Sequence, residues 1–262
     1  MKGCLFLRRA IDLFKILLLG KLFLELNEVK YKMNMAAQNL HKFPLAKEGE
    51  NLKISVVIPT LNESSYIKKP ILSLKANSYR NFEIIIVDGM SNDDTAIIAK
   101  NLGSKVIISG RRKIGYDTHL GFISAEGDII VRTDADSIFP RDILIKIVRT
   151  FENPQIMVYH IGHLYYDGNI LLNLLAHLYD KYWRRIWATS GHFIAVRKTA
   201  YEKLQFKPLA RGEDFDFGKR AYEIFGQKAF VYDPDTVILI SSRAISKHGL
   251  LRYIFRGGSF RA

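Results

Sequence analysis

The sequence lacks the features of several protein classes. Cys4 is the single cysteine in 262 residues, which excludes an intramolecular disulfide and a cysteine-rich zinc site. No long apolar run occurs: within residues 11–26 the longest piece without a charge is 16–20, whereas a spanning helix needs ~18 apolar residues. This piece is also too short for a signal-peptide core. With 48% hydrophobic and 25% charged residues, the composition is that of a globular protein.

Acidic residues are scarce relative to basic ones. The 39 Lys and Arg residues exceed the 26 Asp and Glu residues, which gives a formal net charge of +13. Such an excess predicts an anionic partner, which could be nucleic acid, an acidic membrane surface or a phosphorylated substrate. Composition does not choose among these three.

The N-terminal 28 residues are predicted to form an amphipathic helix. Residues 11–26 are apolar but interrupted by charges, and Arg8, Arg9, Lys15 and Lys21 accompany them. This pattern is typical of a helix that lies on an anionic bilayer, and it equally fits a helix that packs on its own domain or on a second copy. Residues 29–52 lack periodicity and are expected to be a linker. We therefore expect a cytoplasmic protein, peripheral on the cytoplasmic face of a membrane.

From residue 53 onward, apolar strands alternate with helical stretches. Strands are predicted at 54–59, 82–89, 105–109 and 128–136, and helices at 64–76 with a kink at Pro70, 93–102, 116–125 and from Pro140 onward. This alternation predicts βαβ units and a mostly parallel sheet. Ligands of such sheets bind beyond the carboxyl ends of the strands.

Acidic residues follow these strands. Glu63 comes after the first predicted strand, Asp88 after the second, and Asp134 and Asp136 after the fourth. Carboxylates gathered at one edge repel one another unless a cation compensates them. Mg²⁺ or Mn²⁺ binds carboxylate and phosphate oxygens together, so a metal with a phosphorylated ligand would explain the cluster. A solvated turn at each strand end is the alternative.

Five sequence blocks, in order, resemble family-2 glycosyltransferases of the GT-A fold. They are SVVIPTLNE, IIIVDGMSND, AEGDIIVRTDADSIFP, SGHFIAVRKTAYEKL and GEDFDFGKRAYEIFG. The resemblance covers about residues 53–232, with a weaker tail to 258. It implies an α/β, Rossmann-like, mostly parallel sheet flanked by helices. The glycosyltransferase domain is expected at 53–240, followed by a basic tail at 241–262.

The resemblance implies donor-binding and metal-binding roles at the strand ends. Thr60 and Glu63 match the turn that contacts the nucleoside. Asp88 matches the acid that accepts a hydrogen bond from the base, usually uracil. Asp136 matches the ligand of a Mg²⁺ or Mn²⁺ ion, and Asp134 is expected nearer the ribose.

The resemblance also implies a catalytic base and an acceptor side. Asp214 matches the general base of inverting members, which removes the proton of the attacking hydroxyl group. Glu213, Gly191, His192 and Trp187 are expected on the acceptor side. A second interpretation of Glu213 and Asp214 is that they interact with a helix dipole, and both roles can hold together.

Two segments, the basic tail and residues 117–121, match the family less well than the five blocks do. Arg243 and His248 in the tail are expected to reach the donor diphosphate, although a solvated basic tail fits equally well. The stretch 117–121 departs from the family's Ala-Arg-Asn-x-Gly, because Thr118 and His119 replace the arginine and the asparagine. The resemblance therefore does not carry the usual contacts of that stretch over to these residues.

Two further patterns allow more than one interpretation. Residues 169–187 predict a long apolar and aromatic helix, which fits either a core helix or a contact with a membrane or a lipid-linked acceptor. His160 and His163 have a spacing that could bind a metal, but no further ligand completes a set nearby, so an ordinary polar pair is favoured.

The expected function is inverting, metal-dependent transfer of a sugar from a nucleotide-sugar, with UDP favoured, to a saccharide or lipid-linked hydroxyl acceptor. The alternative is a polyprenyl-phosphate sugar synthase that uses a GDP-sugar or UDP-sugar. A non-catalytic nucleotide-binding or nucleic-acid-binding protein is the second alternative. Carboxylates at strand ends disfavour a nucleic-acid partner, because nucleic-acid readers interleave basic and aromatic residues.

Overall fold

The computed structural model describes residues 18–34, 52–210 and 212–248. Within these residues, seven strands form one sheet: β1 (Ile54–Thr60), β2 (Phe82–Asp88), β3 (Lys105–Ile108), β4 (Ile129–Thr133), β5 (Val158–Tyr165), β6 (Phe193–Arg197) and β7 (Phe230–Ile240). Their order across the sheet is β3-β2-β1-β4-β6-β5-β7. β1 is parallel to β2 and β4, β2 to β3, and β5 to β7. β6 runs antiparallel to β4 and β5, so the expected mostly parallel sheet is confirmed with one reversed strand.

Helices flank this sheet. The first, α1, is helical over residues 18–34. The others are α2 (Lys68–Lys75), α3 (Thr95–Asn101), α4 (Ile114–Ile123), α5 (Ile143–Phe151), α6 (Ile170–Leu178), α7 (Lys198–Lys203), α8 (Glu213–Phe225) and α9 (Arg243–His248).

Three helix predictions need correction. α2 begins at Lys68, so Pro70 lies in the first turn, where its missing N–H would have no acceptor within the helix. The predicted kink at Pro70 is therefore wrong. α5 begins at Ile143 and not at Pro140. The predicted helix 169–187 ends as an α-helix at Leu178 and continues as a π-helical turn, Tyr179–Trp183.

The core lies on both faces of the sheet. Val56 and Ile58 of β1 belong to one buried cluster, and Val57 between them belongs to the other. Successive strand residues point to opposite faces, so a run of consecutive apolar residues indicates a strand covered on both sides. The sheet therefore leaves its strand ends, rather than its faces, for a ligand.

α1 packs on its own domain. Val29 is fully buried in a cluster with Leu164 of β5, Leu174 of α6, and Val237 and Leu239 of β7. The helix continues to residue 34, beyond the predicted boundary at residue 28. Among the described residues, no helix has both the length and the apolar character required to cross a bilayer.

Candidate active site

Strands β1 and β2 end side by side. Thr60 and Asp88 are register partners, and Oγ1 of Thr60 donates to Oδ1 of Asp88 over 3.3 Å. The backbone N–H and the hydroxyl group of Ser91 both donate to the Asp88 carboxylate. Asp88 is 2% exposed, so its carboxylate is held in place by these three hydrogen-bond donors.

The loops after β1, β2 and β3 contain strained backbone. Among the described non-glycine residues, Asn62, Met90 and Arg112 have positive φ values of 57°, 61° and 48°. Such conformations cost on the order of 1–3 kcal/mol and gather at functional sites. Oδ1 of Asn62 accepts from the N–H of Asn92 over 2.8 Å, which joins the loop after β1 to the loop after β2.

Asp117 adds a second acid beside Asp88. It lies in α4, is 5% exposed, and accepts a hydrogen bond from the Ser109 hydroxyl group. Burial raises the pKa of Asp117, and the negative charge of Asp88 acts in the same direction. Sequence reasoning did not assign Asp117 a role. The sequence feature that could have pointed to Asp117 is the departure from the family pattern, which begins at that residue.

Arg243 connects the ends of β1 and β4. Its Nη1 and Nη2 donate to the two carboxylate oxygens of Glu63, each over 2.8 Å, and its Nε donates to Oδ2 of Asp136 over 2.8 Å. Its guanidinium group also lies 4.3 Å from the ring centroid of Tyr66. The first turn of α9 thus contacts one predicted donor-binding acid, Glu63, and the predicted metal ligand, Asp136.

The environment of Asp136 fits a divalent cation. Burial raises the pKa of Asp136 to about 6. The negative charges of Asp134 and Glu63 also raise this pKa, whereas the positive charge of Arg243 lowers it. A cation would relieve this excess of negative charge. Mg²⁺ is commonly held by one or two carboxylates together with substrate phosphates, so Asp136 with Asp134 nearby is an adequate donor set.

A second group of possible ligands lies elsewhere. Among the described residues, Glu25, Glu28 and His177 are the group of three whose ligand atoms lie within 4.8 Å of one another. Lys181 forms ion pairs with both of these carboxylates, at 3.2 and 2.8 Å. This group therefore fastens α1 to α6 and already has a positive partner.

Asp134 is paired with two basic side chains. Its Oδ1 lies 3.1 Å from Nη1 of Arg132, and its Oδ2 lies 2.7 Å from Nδ1 of His192. Burial alone would raise the pKa of Asp134, but the charge of Arg132 and the contact with His192 outweigh it and lower the pKa to about 2. Asp134 is therefore ionised at neutral pH.

Asp214 lies in the first turn of α8 and contacts the loop before β6. Its Oδ2 accepts a hydrogen bond from the backbone N–H of Gly191, and the Thr189 hydroxyl group donates to its backbone carbonyl over 2.6 Å. Gly212, with φ 73°, precedes the helix in the left-handed region that glycine adopts at low cost.

Glu213 is buried beside Arg132. Nη2 of Arg132 donates to Oε1 of Glu213 over 3.2 Å, and both side chains are 3% exposed. Burial raises the pKa of Glu213 to about 7, although Arg132 opposes the shift. Sequence reasoning did not identify Arg132 as a site residue. The sequence feature that could have pointed to Arg132 is that it is the single charged residue of the strand IIVRT.

The remaining predicted site residues are Trp187 and His248. The ring centroids of Trp187 and Phe215 lie 5.2 Å apart, and Phe215 is on α8, the helix that contains Asp214. The side chain of His248 lies outside the part of the chain whose side chains are described.

Nε2 of His160 lies 2.6 Å from the carbonyl oxygen of Ile186, and Nδ1 of His163 lies 2.9 Å from Asp180. Both histidines are thus paired with protein groups.

Contacts bring most of the predicted residues into two connected groups. The first joins Glu63, Arg243 and Asp136 at the ends of β1 and β4. The second extends from Asp134 to the acceptor-side residues His192, Gly191, Glu213 and Asp214, with Arg132 as a common neighbour. Thr60 and Asp88 form a separate pair.

The seven-strand sheet flanked by helices is the GT-A fold of glycosyltransferases. The chain belongs to glycosyl transferase family 2, whose sequence profile matches residues 55–208. The fold is similar to glucosyl-3-phosphoglycerate synthase from Mycobacterium tuberculosis in complex with Mn²⁺, UDP-glucose and phosphoglyceric acid. That similarity has a TM-score of 0.60 and 20% identity and covers 81% of each chain.

Two curated relatives have similar sequences. Glucosyl-3-phosphoglycerate synthase of Petrotoga mobilis is 30% identical over 133 residues, which are 45% of this chain and 41% of the relative. Dolichol-phosphate mannosyltransferase of Pyrococcus furiosus is 32% identical over 129 residues, which are 47% of this chain and 36% of the relative. The chain thus spans less than half the length of these relatives.

Proposed function

We propose that this glycosyltransferase moves a sugar from a UDP-sugar to a hydroxyl acceptor, with inversion at the anomeric carbon and with a divalent metal. The observation that supports it best is the spatial order of the acids. Asp136 and Asp134 occupy the end of β4, and Asp214 lies across the 191–192 loop from them. This order would place a base on the side of the sugar opposite the leaving diphosphate.

Each side chain has a chemical task in this proposal. Asp88 accepts a hydrogen bond from the uracil N3–H, and Asp134 from a ribose hydroxyl group. Asp214 accepts the proton of the acceptor hydroxyl group as that oxygen attacks the sugar. Arg243 exchanges its carboxylate partners for diphosphate oxygens, to which a guanidinium group can bind in a bidentate manner.

A Mg²⁺ or Mn²⁺ ion would be held by Asp136. When bound, such an ion supplies charge stabilisation for the leaving diphosphate. The Mn²⁺ and UDP-glucose in the similar M. tuberculosis enzyme support this choice of metal and donor. The polyprenyl-phosphate acceptor stays the second candidate, supported by the named acceptor of the P. furiosus relative.

A donor panel tests the proposed function. The protein is incubated with UDP-, GDP- and dTDP-sugars and Mg²⁺ or Mn²⁺, and the released nucleotide is measured. We expect slow hydrolysis of a UDP-sugar that stops when EDTA removes the metal. Metal-independent release would contradict the metal role, a preference for GDP-sugars would contradict the donor, and no release from any donor would contradict the proposed function.

We further propose that the protein contacts an anionic membrane through α1 and the region around α6. α1 leaves Phe23 and Leu24 exposed by 62% and 69%, and the adjoining helix and π-helical turn expose Leu171 by 62% and Trp183 by 66%. Lys21 lies 4.7 Å from the ring centroid of Tyr182. Apolar and aromatic residues interspersed with basic ones are typical of membrane-surface contacts.

Flotation tests this contact. Full-length protein is expected to float with phosphatidylglycerol-containing vesicles but not with pure phosphatidylcholine. The double variant Phe23→Glu/Leu24→Glu should lose at least about 100-fold in partitioning, because burial of each side chain contributes about 1.5–3 kcal/mol.

Ile97→Glu/Ile108→Glu is the matched control for flotation. Its side chains are 61% and 59% exposed and lie at the opposite, β3 edge of the sheet. The control should float like the wild type. Equal flotation of the two double variants, or no flotation of the wild type, would contradict the membrane contact.

A further inference from the structure

Arg132 is a charged residue in the middle of the sheet. It is the fourth residue of β4, pairs with Val57 of β1 and Ile194 of β6, and is 3% exposed. Burying a charge is costly unless it is paired with an opposite charge. Its position therefore depends on the carboxylates that surround it.

Those carboxylates come from two different parts of the site. Nη1 of Arg132 lies 3.1 Å from Oδ1 of Asp134, which follows two residues later, just past the end of β4. Nη2 donates to Glu213, the first residue of α8, over 3.2 Å. One guanidinium group thus joins the donor-side acid to the turn that contains Asp214.

The loop before β6 is shaped around the same guanidinium group. A Cβ atom on Gly191 would lie 1.5 Å from Nη1 of Arg132, so no other residue fits there while Arg132 keeps its position. The N–H of Gly191 donates to the Asp214 carboxylate. Arg132 therefore lies against the residue that orients the proposed base.

The network is more than a neutral ion pair. Asp134 and Glu213 contact Arg132, and the negative charge of Asp214 adds to theirs, so Arg132 interacts electrostatically with three acids. Within the described part of the chain, neither Nε nor Nη1 of Arg132 forms a hydrogen bond of ordinary geometry, and Nη1 contacts Asp134 as an ion pair. A purely structural arginine would be expected to satisfy its donors more fully.

We propose that Arg132 is a positioning residue for sugar transfer. It holds Asp134 and the N-terminal turn of α8 in one network, and it thereby sets the distance between the bound donor and Asp214. This inference rests on the proposed function. Because a displacement of about 1 Å can cost about 100-fold in rate, loss of this network should lower kcat rather than donor affinity.

The test compares three variants with UDP-glucose and Mn²⁺ as probes, with hydrolysis measured as kcat and KM separately. Arg132→Met alone would leave the buried carboxylate of Glu213 without its arginine partner, so it is combined with Glu213→Gln. The double variant should fold, keep its KM within about threefold, and lose about 100-fold in kcat. Arg132→Lys keeps the charge but binds one carboxylate at a time, and it should lose about tenfold.

Arg197→Met is the matched control. Arg197 is also an arginine of a central strand, but its partners are the backbone carbonyl groups of Phe151, Asn153 and Ile156. Its loss should lower the melting temperature and leave kcat unchanged. The inference is overturned if the folded double variant, or Arg132→Lys where the double variant fails to fold, keeps the wild-type kcat. It is also overturned if the whole loss appears in KM.

Amide hydrogen exchange separates this inference from the proposed function. In the double variant, or in Arg132→Lys, residues 188–194 and 212–217 should exchange faster than in the wild type, while β1 stays unchanged. If wild-type protein does not hydrolyse UDP-glucose, the choice of donor and chemistry fails and the exchange result alone decides the role of Arg132. Unchanged exchange in both segments would then overturn it.

Discussion

Replacing Asp214 with asparagine is expected to lower the rate of sugar transfer by about 10²–10⁴-fold, the range that general base catalysis contributes. Asparagine retains a side-chain oxygen that can accept from the N–H of Gly191, so the local geometry should persist. What is lost is the capacity to take up the proton of the attacking hydroxyl group. Donor binding, measured by calorimetry with UDP and Mn²⁺, should stay within about threefold.

Asp216→Asn is the control for this prediction. Asp216 lies on the same helix, but its carboxylate pairs with Lys207 at 2.9 Å and Arg220 at 2.6 Å. Its replacement should leave turnover close to the wild-type value. Near-normal turnover of Asp214→Asn, with Asp216→Asn equally active, would show that another group accepts the proton.

Replacing Asp136 with alanine is expected to abolish metal-dependent donor binding. Loss of an outer-shell partner already weakens metal binding by about 10–100-fold, so loss of the ligand itself should cost at least about 100-fold. The measurement is calorimetric titration of UDP with and without Mn²⁺. The Mn²⁺-dependent gain in affinity should disappear in the variant.

The fold should tolerate this replacement. Burial and the neighbouring acids already disfavour the ionised form of Asp136, as its raised pKa of about 6 indicates. Arg243 keeps its two contacts to Glu63 after the change. Asp235→Ala, at a site 71% exposed, serves as the control for removal of a carboxylate. Equal Mn²⁺-dependent affinity in the wild type and in Asp136→Ala would exclude Asp136 as the ligand.

Much of the site was predictable because strand ends converge. Parallel strands place their carboxyl ends at one edge, so residues far apart in sequence, such as Glu63 and Asp136, could be expected near each other. Arg243 indeed contacts both. Asp117 was harder to foresee, because the family pattern has no acid at that place and its partner Ser109 lies on another segment.

The apolar and aromatic stretch 169–187 shows the limit of local pattern. Its composition fitted a core helix and a contact with a membrane or a lipid-linked acceptor equally well. In the structure Asn173 and His177 are buried, whereas Leu171 and Trp183 are exposed. Periodicity describes the face of an isolated helix, but which face is covered depends on α1, a partner from more than a hundred residues earlier in the chain.

The sequence by itself determined the α/β class, the family and the acids at the strand ends, because these follow from short-range periodicity and contiguous motifs. Only the tertiary structure decided that β6 runs antiparallel, that α1 packs on the β7 side of the sheet, and that Arg132 joins Asp134 to Glu213. The physical reason is that a buried charge is stabilised by partners from distant segments. No local pattern specifies those partners before the chain has folded.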